Sequence, residues 1–293
     1  MIRYLTLSAL LFFVFSCNQH SNKQGSGKND ENNGVVRLYS SNVNDTFSIF
    51  TSLPEDYDPH QHYPVVYLLD ANIYFDIMSA AIHKYAEIGL APQVILVGIG
   101  YKDFPSLDSL RNRDDTYPVA IPEYEMAVSG GADKFLAFIS HELIPYVDKK
   151  YETDTTKRIL MGHSLGGYFT TYTLLQNLSS TNNSFSGYIA ASPSIHYNKY
   201  YLVEKLKELP QQKNRDHKLS IYLTYGGAED DENKDDSTMM KSVVVSQRLN
   251  ELLSGKQSGS IIYKSDIYSN LGHMDMPIPT FMKGLQWIFN NEK

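Results

Sequence analysis

From Tyr63 onward the chain alternates short apolar runs of strand length with segments whose apolar residues recur at helical spacing. A run such as Pro64 to Asp70, "PVVYLLD", or Gln93 to Gly100, "QVILVGIG", is apolar on both faces, so its strand must be covered on both sides. Strand and helix in alternation, with the strands doubly buried, dictate βαβ units and a largely parallel sheet. Further strands are expected at Arg158 to Gly162, Phe185 to Ser192, Leu219 to Gly226 and Ser260 to Tyr268. Helices are expected at Tyr74 to Ile88, Gly167 to Gln176, Lys199 to Glu208, Thr238 to Leu253 and Pro279 to Phe289. Phe135, Phe138, Ile139, Leu143 and Tyr146 recur at helical spacing, and Pro145 is expected to kink that helix or begin a new turn. Two earlier runs, Val35 to Ser40 and Thr46 to Leu53, read as antiparallel edge strands joined by the turn-prone Asn42-Val43-Asn44-Asp45.

One strand-to-helix junction carries Gly162-His163-Ser164-Leu165-Gly166-Gly167. G-x-S-x-G alone is a weak signal, but between a strand and a helix it matches a nucleophile elbow, where glycines relieve a crowded, strained turn. The helix aims its positive end at Ser164, and the Leu165 N–H can donate to a developing oxyanion. A serine needs a base and an orienting carboxylate to act as a nucleophile. Of the nine histidines, only His217 and His273 lie well beyond Ser164 and the next strand. His217 precedes its strand, whereas His273 follows the last one in the loop "SNLGHMDMP", where a base belongs. Glu229 is the first carboxylate after the Gly226-Gly227 turn and is the favoured acid, with Asp230 the alternative. His163 should pack rather than face substrate, and His196 is a candidate for the pocket lining. No histidine and carboxylate spacing suggests a metal site, and the chemistry requires no cofactor. Antiparallel strands followed by this alternation, with nucleophile, acid and base in that order, is the α/β-hydrolase fold: a mostly parallel central sheet, antiparallel N-terminal strands and helices on both faces.

The N-terminus has a different character. Arg3 precedes an apolar run from Leu5 to Phe15, the length of a signal-peptide core rather than a membrane span. Val14-Phe15-Ser16-Cys17 resembles a bacterial lipoprotein signal, which implies cleavage before Cys17 and lipidation of that cysteine. Residues 1–17 are thus expected to be signal, residues 18–34 a flexible polar tether, and residues 35–293 one catalytic domain. The expected location is the bacterial cell envelope, lipid-anchored, periplasmic or surface-exposed. Cys17 is the chain's single cysteine, so no internal disulfide is possible and the core must supply stability. A net charge of −7 without a basic cluster argues against nucleic acid as a partner.

Beyond these features the chain resembles the putative-esterase family of α/β-hydrolases, in the branch that includes siderophore esterases. The likeness rests on "YPVVYLLDANIYF" (Tyr63 to Phe75), "RNRDDTYP" (Arg111 to Pro118), "FISHELIPYVDKKY" (Phe138 to Tyr151), "GHSLGGYFTTYTLL", "AASPSIHYN" and "GHMDMPIPTFMKGLQWIF". The resemblance implies a serine carboxylic-ester hydrolase with Ser164 as nucleophile, His273 as general base and Glu229 as orienting acid. It also places a second oxyanion N–H on Ala71, where the family carries glycine, with Asn72 as fallback. The segment Tyr101 to Gly131 leaves a strand end on the ligand-binding edge and is expected to form a lid or specificity loop. Within it Arg111 and Arg113 could clamp an oxygen-rich substrate, or pair with Asp114 and Asp115 to hold the loop. Siderophore esters and acylated glycans are the candidate substrates. An acyltransferase on the same fold and a non-catalytic ligand-binding lipoprotein are the alternatives.

Overall fold

The computed structural model describes residues 34–179, 182–210, 218–232, 240–255 and 260–291. The expected signal segment with Cys17, the tether up to residue 33, and His217 lie outside the described residues.

Eight strands form one sheet: β1 (Val35–Ser40), β2 (Asp45–Ser52), β3 (Tyr63–Leu68), β4 (Ile95–Gly100), β5 (Thr153–His163), β6 (Gly187–Ala191), β7 (Leu219–Gly226) and β8 (Ile261–Tyr268). Their spatial order is β1-β2-β4-β3-β5-β6-β7-β8. β1 and β2 pair antiparallel, β2 pairs antiparallel with β4, and every pairing from β4 to β8 is parallel. This is the α/β-hydrolase architecture the alternation dictates. Nine helices are described: α1 (Ala71–Glu87), α2 (Phe104–Asp114), α3 (Ala132–Phe138), α4 (Ile144–Lys150), α5 (Leu165–Leu178), α6 (Tyr197–Glu208), α7 (Glu229–Glu232), α8 (Ser242–Ser254) and α9 (Pro277–Asn290).

The pleat sorts the sheet's residues onto two cores. Along β3, Val65 and Tyr67 face a core shared with α3, α5, α6 and α8, while Val66 and Leu68 face a second core shared with α1 and α9. Both faces are therefore dry, which is why the strands read as continuous apolar runs.

Several boundaries differ from the sequence reading for identifiable reasons. The first half of β5 is polar and partly exposed at Asp154, Thr155 and Thr156, so periodicity finds only its buried C-terminal half. The segment Tyr101 to Gly131, expected as a lid or specificity loop, contains the helix α2. Asp103 caps α2 by accepting from Ser106 N–H at 2.9 Å, with Pro105 in the first turn. The helix buries only Leu107 and Asp114, so it carries no apolar stripe to read. Beyond α2, Tyr117, Pro118, Val119 and Ile121 are pinned by Tyr168 Oη, Tyr197 Oη and the Asn198 amide. The stretch around Pro145 is α3 and α4 joined by one π-helical turn, Ile139–Leu143, with Pro145 at the second position of α4; the wider turn accommodates the N–H that proline lacks.

What matters for function is the shared edge. His163 pairs with Ala191, Ala191 with Thr224, and Gly226 with Tyr268. The C-terminal ends of β5, β6, β7 and β8 therefore lie side by side, and the segments leaving them must meet. Leu68 is fully buried on this sheet. Leu68→Ala is expected to cost about 2–5 kcal/mol in chemical denaturation, whereas Tyr39→Ala on exposed β1 should stay within about 0.5 kcal/mol.

Candidate active site

Ser164 joins β5 to α5 with φ 57° and ψ −117°, a conformation that an L-residue rarely adopts. The cost is on the order of 1–3 kcal/mol and persists only where neighbours over-determine the backbone. Here they do so: Ser164 N–H donates to Ala191 O at 3.1 Å, and Ser164 O accepts from Ser194 N–H and Tyr168 N–H at 3.0 and 2.8 Å. Gly162 is obligatory, because a Cβ there would stand 2.4 Å from Gly166 O.

Glu229 and His273 arrive on the neighbouring loops. Gly227 N–H donates to Tyr268 O at 2.9 Å and Ala228 N–H to Leu271 O at 3.1 Å, so the segment after β7 is stitched to the one after β8. This brings Glu229 Oε2 to 2.9 Å from His273 Nδ1. A carboxylate can only accept, so Nδ1 carries the proton and Nε2 is the basic nitrogen. Glu229 Oε1 accepts from Gly226 N–H at 2.6 Å and from the Ser192 hydroxyl. Burial pushes its carboxyl up, but the bonds from His273, Ser192 and Gly226 outweigh burial and hold it below the ordinary carboxylate range. Asp230, the alternative acid, is elsewhere: its Oδ1 accepts from Ser242 N–H at 2.6 Å and secures the start of α8.

His163 packs as expected and does more than fill space. Its Nε2 lies 2.9 Å from His273 O and its Nδ1 lies 3.0 Å from Tyr74 Oη. The carbonyl can only accept, so Nε2 carries the proton and Tyr74 donates to Nδ1. His163 thus ties the strand that ends at Ser164 to the backbone of His273, and the two imidazole centroids are 4.6 Å apart. Burial, with His273 and Arg111 adjacent, drives its pKa down to about 3, so it stays neutral.

Leu165 opens α5 and Ala71 opens α1, with Asn72 next to it. First-turn N–H groups have no intrahelical acceptor, so both helices present donors at the edge where Ser164 sits. The positive φ of this turn falls on Asp70, at 52°, so Ala71 needs no glycine. The Asn72 side chain bridges Tyr101, accepting from its N–H at 2.7 Å and donating to its carbonyl at 3.0 Å, which holds the amide against the Tyr101 backbone.

In this structure both arginines pair with the protein's own carboxylates, which is the loop-holding alternative of the sequence reading rather than the substrate clamp. Arg111 makes a two-pronged bond to Asp70 at 3.0 and 2.8 Å and reaches His163 O at 3.4 Å. Arg113 forks onto Asp114 at 2.8 and 3.0 Å and bonds Asp45 at 3.0 Å. Both planar forks are filled by the protein's own carboxylates, so neither is open to a substrate anion. His196 is half-buried just before α6, its carbonyl accepting from Tyr124 Oη at 2.9 Å. Ser192 and Ser194 escaped the sequence reading. Ser192 braces Glu229, and Ser194 Oγ lies 3.3 Å from Ser164 Oγ. The signal that could have found them is their alternation, two apart, on the loop between the nucleophile's strand and the acid's. Among the described residues no group of three or more His, Cys, Asp and Glu gathers as a metal would require.

A nucleophile elbow, a carboxylate-oriented imidazole and two helix N-termini on one sheet edge define an α/β-hydrolase of the ester-cleaving class. Residues 40–261 match the family described as "Putative esterase". Ferri-bacillibactin esterase BesA of Bacillus subtilis (strain 168) is 39% identical over 207 residues, 66% of this chain and 70% of the relative. Siderophore triacetylfusarinine C esterase of Aspergillus fumigatus is 31% identical over 172 residues, 57% of this chain and 56% of the relative. The crystal structure of BES protein from Bacillus cereus superposes with a TM-score of 0.75 at 29% identity, covering 92% of this chain and 99% of that one. The chain belongs to the Putative esterase family, in its siderophore-esterase-like branch, and is an esterase, a carboxylic ester hydrolase.

Two outcomes follow from this geometry. Removing the Arg111 fork leaves Asp70 buried without its cation, so Arg111→Ala should lose about 3–5 kcal/mol in denaturant titration, and Arg111→Lys should recover only part of it. His163 binds a proton in the unfolded chain from its ordinary value of 6.5 downward, but in the folded protein only near 3. The unfolded state therefore binds more protons in that window, and this contribution is present above 6.5 and lost as pH falls toward 3. His163→Gln, which never titrates, should flatten the fall in stability across the window.

Proposed function

We propose that this chain is an extracytoplasmic, lipid-anchored serine esterase that cleaves siderophore esters through an acyl-enzyme. The observation that carries the chemistry is the His273–Glu229 pair, held at 2.9 Å on loops bonded to each other and locked through His163 to the Ser164 elbow. His273 Nε2 takes the Ser164 proton as Oγ forms its bond to the ester carbonyl carbon. Leu165 N–H and Ala71 N–H hold the oxyanion of the tetrahedral intermediate. The carbon–alkoxy bond then breaks and the leaving alcohol takes the proton from His273. Water repeats the sequence on the acyl-enzyme, His273 accepting its proton and returning one to Ser164 Oγ as the acid departs.

The substrate class is supported by the relatives, named for a ferri-bacillibactin esterase and a triacetylfusarinine C esterase. Envelope anchoring is supported by Arg3, the apolar run to Phe15, and Cys17. Among the described residues no helix is long and apolar enough to cross a membrane.

Purified protein should hydrolyse both a small activated ester and ferri-bacillibactin. Ser164→Ala and His273→Ala should each lower kcat by roughly 10⁴–10⁶. A variant that keeps the parent rate overturns the assignment, and activity on the small ester alone overturns the substrate class. In a bacterial host, Cys17→Ser should move the protein out of the membrane fraction.

A further inference from the structure

Ser194 is a buried hydroxyl that the mechanism above does not use. It is 7% exposed, and its Oγ lies 3.3 Å from Ser164 Oγ. Its backbone is fixed from both sides: Ser194 N–H donates to the carbonyl of Ser164 itself at 3.0 Å, and Ser194 O accepts from Tyr197 N–H at 3.1 Å. The approach depends on Gly167 in the first turn of α5. A Cβ at Gly167 would stand 3.0 Å from Pro193 Cα and 3.1 Å from Ala191 O, so any side chain there would push the Pro193-Ser194 segment off the elbow. The second glycine of the pair after Leu165 thus sets the distance between two hydroxyls.

We propose that Ser194 is a further catalytic residue, whose hydroxyl donates a hydrogen bond to Ser164 Oγ as that oxygen gains charge. The inference rests on Ser164 being the nucleophile. A serine oxygen has one proton and two lone pairs. When Ser164 gives its proton to His273 Nε2, its Oγ can only accept, and Ser194 is the hydroxyl placed to donate. Between ground state and transition state Oγ changes from a neutral hydroxyl to a partial alkoxide, and a hydrogen bond to a charged acceptor is roughly twice as strong as one to a neutral acceptor. The bond therefore strengthens toward the transition state, which is the condition for raising kcat rather than lowering KM. When the acyl-enzyme breaks down, Oγ leaves its carbonyl carbon with the same charge and meets the same donor. No proton is transferred from Ser194 in either direction: the His273 imidazole carries it, and Ser194 keeps its own.

The test measures the rate at which a fluorophosphonate labels Ser164, together with kcat and KM on a small activated ester. Labelling forms the Oγ–P bond and expels fluoride, with the Ser164 proton going to His273, so it reports on the nucleophile apart from ester binding. Ser194→Ala keeps the backbone N–H to Ser164 and removes only the hydroxyl. It should slow labelling and kcat about tenfold with KM little changed. Ser194→Thr, which keeps the hydroxyl, should recover most of the rate. Ser194→Cys keeps the volume with a weak donor and should be slowed, which guards against a packing defect in the alanine variant. Labelling of Ser194→Ala at the parent rate, a loss confined to KM, or a cysteine variant as fast as the parent would each overturn the role. If the unaltered protein fails to label while remaining folded, the nucleophile assignment itself falls, an outcome distinct from any of these.

Discussion

The site depends on one uncomfortable backbone conformation. Ser164 is held at a positive φ between a strand and a helix, and nothing in an isolated chain would favour it. It survives because β5 is interior to the sheet: β6 takes its N–H, the segment after β6 and the first turn of α5 take its carbonyl, and Gly162 lets the Gly166 carbonyl come within van der Waals distance. Each of these partners is placed by the packing of long buried strands, so the energy that keeps the turn strained comes from the two cores rather than from the turn. The same bonds that hold the strain also fix where Oγ points, which is how stability far from the chemistry becomes orientation at the reacting atom.

Order in the sheet decides which loops can cooperate. β6 lies between β5 and β7, so the segment leaving it sits between Ser164 and Glu229. Ser192 turns to Glu229 and Ser194 to Ser164, which lets one short connection brace both of these side chains. β8 is the outer neighbour of β7, and its loop delivers His273 to Glu229 through two backbone hydrogen bonds between the connections. His163 closes the circuit by holding His273 from the β5 side. His273 is thus fixed by its side chain to the segment after β7 and by its carbonyl to the end of β5, and neither bond occupies its Nε2.

The strands and the placement of Ser164, His273 and Glu229 on one sheet edge were legible because each leaves a local trace: a doubly apolar run, a glycine-flanked serine, a histidine and a carboxylate just past strand ends. The partners of Arg111 and Arg113 were only half legible. Asp114 follows Arg113 in the chain, but Asp70 lies forty-one positions before Arg111, and only the fold brings them together. α2 was hidden because it buries two residues and has no apolar face, so periodicity has nothing to detect. Ser192 and Ser194 were missed for a different reason: a serine near a proline reads as turn chemistry, and its hydroxyl's partner is set by tertiary approach.

The Asp70-Ala71 step shows how a family position can change residue without losing its geometry. Where the family carries glycine, the natural inference is that a positive φ is required there. Here the positive φ falls one residue earlier, on Asp70, and aspartate tolerates the left-handed region better than most side chains. The Arg111 fork then clamps the Asp70 carboxylate, and its remaining reach to His163 O spans from the start of α1 to the residue before the nucleophile. One buried cation therefore joins the turn that opens α1 to the turn that opens α5. Had that fork been left open for substrate, Asp70 would stand buried beside the site as an unpaired anion, repelling the very charge the oxyanion donors are arranged to receive. The arginine's pairing thus anchors the residue whose positive φ leaves position 71 free to be alanine.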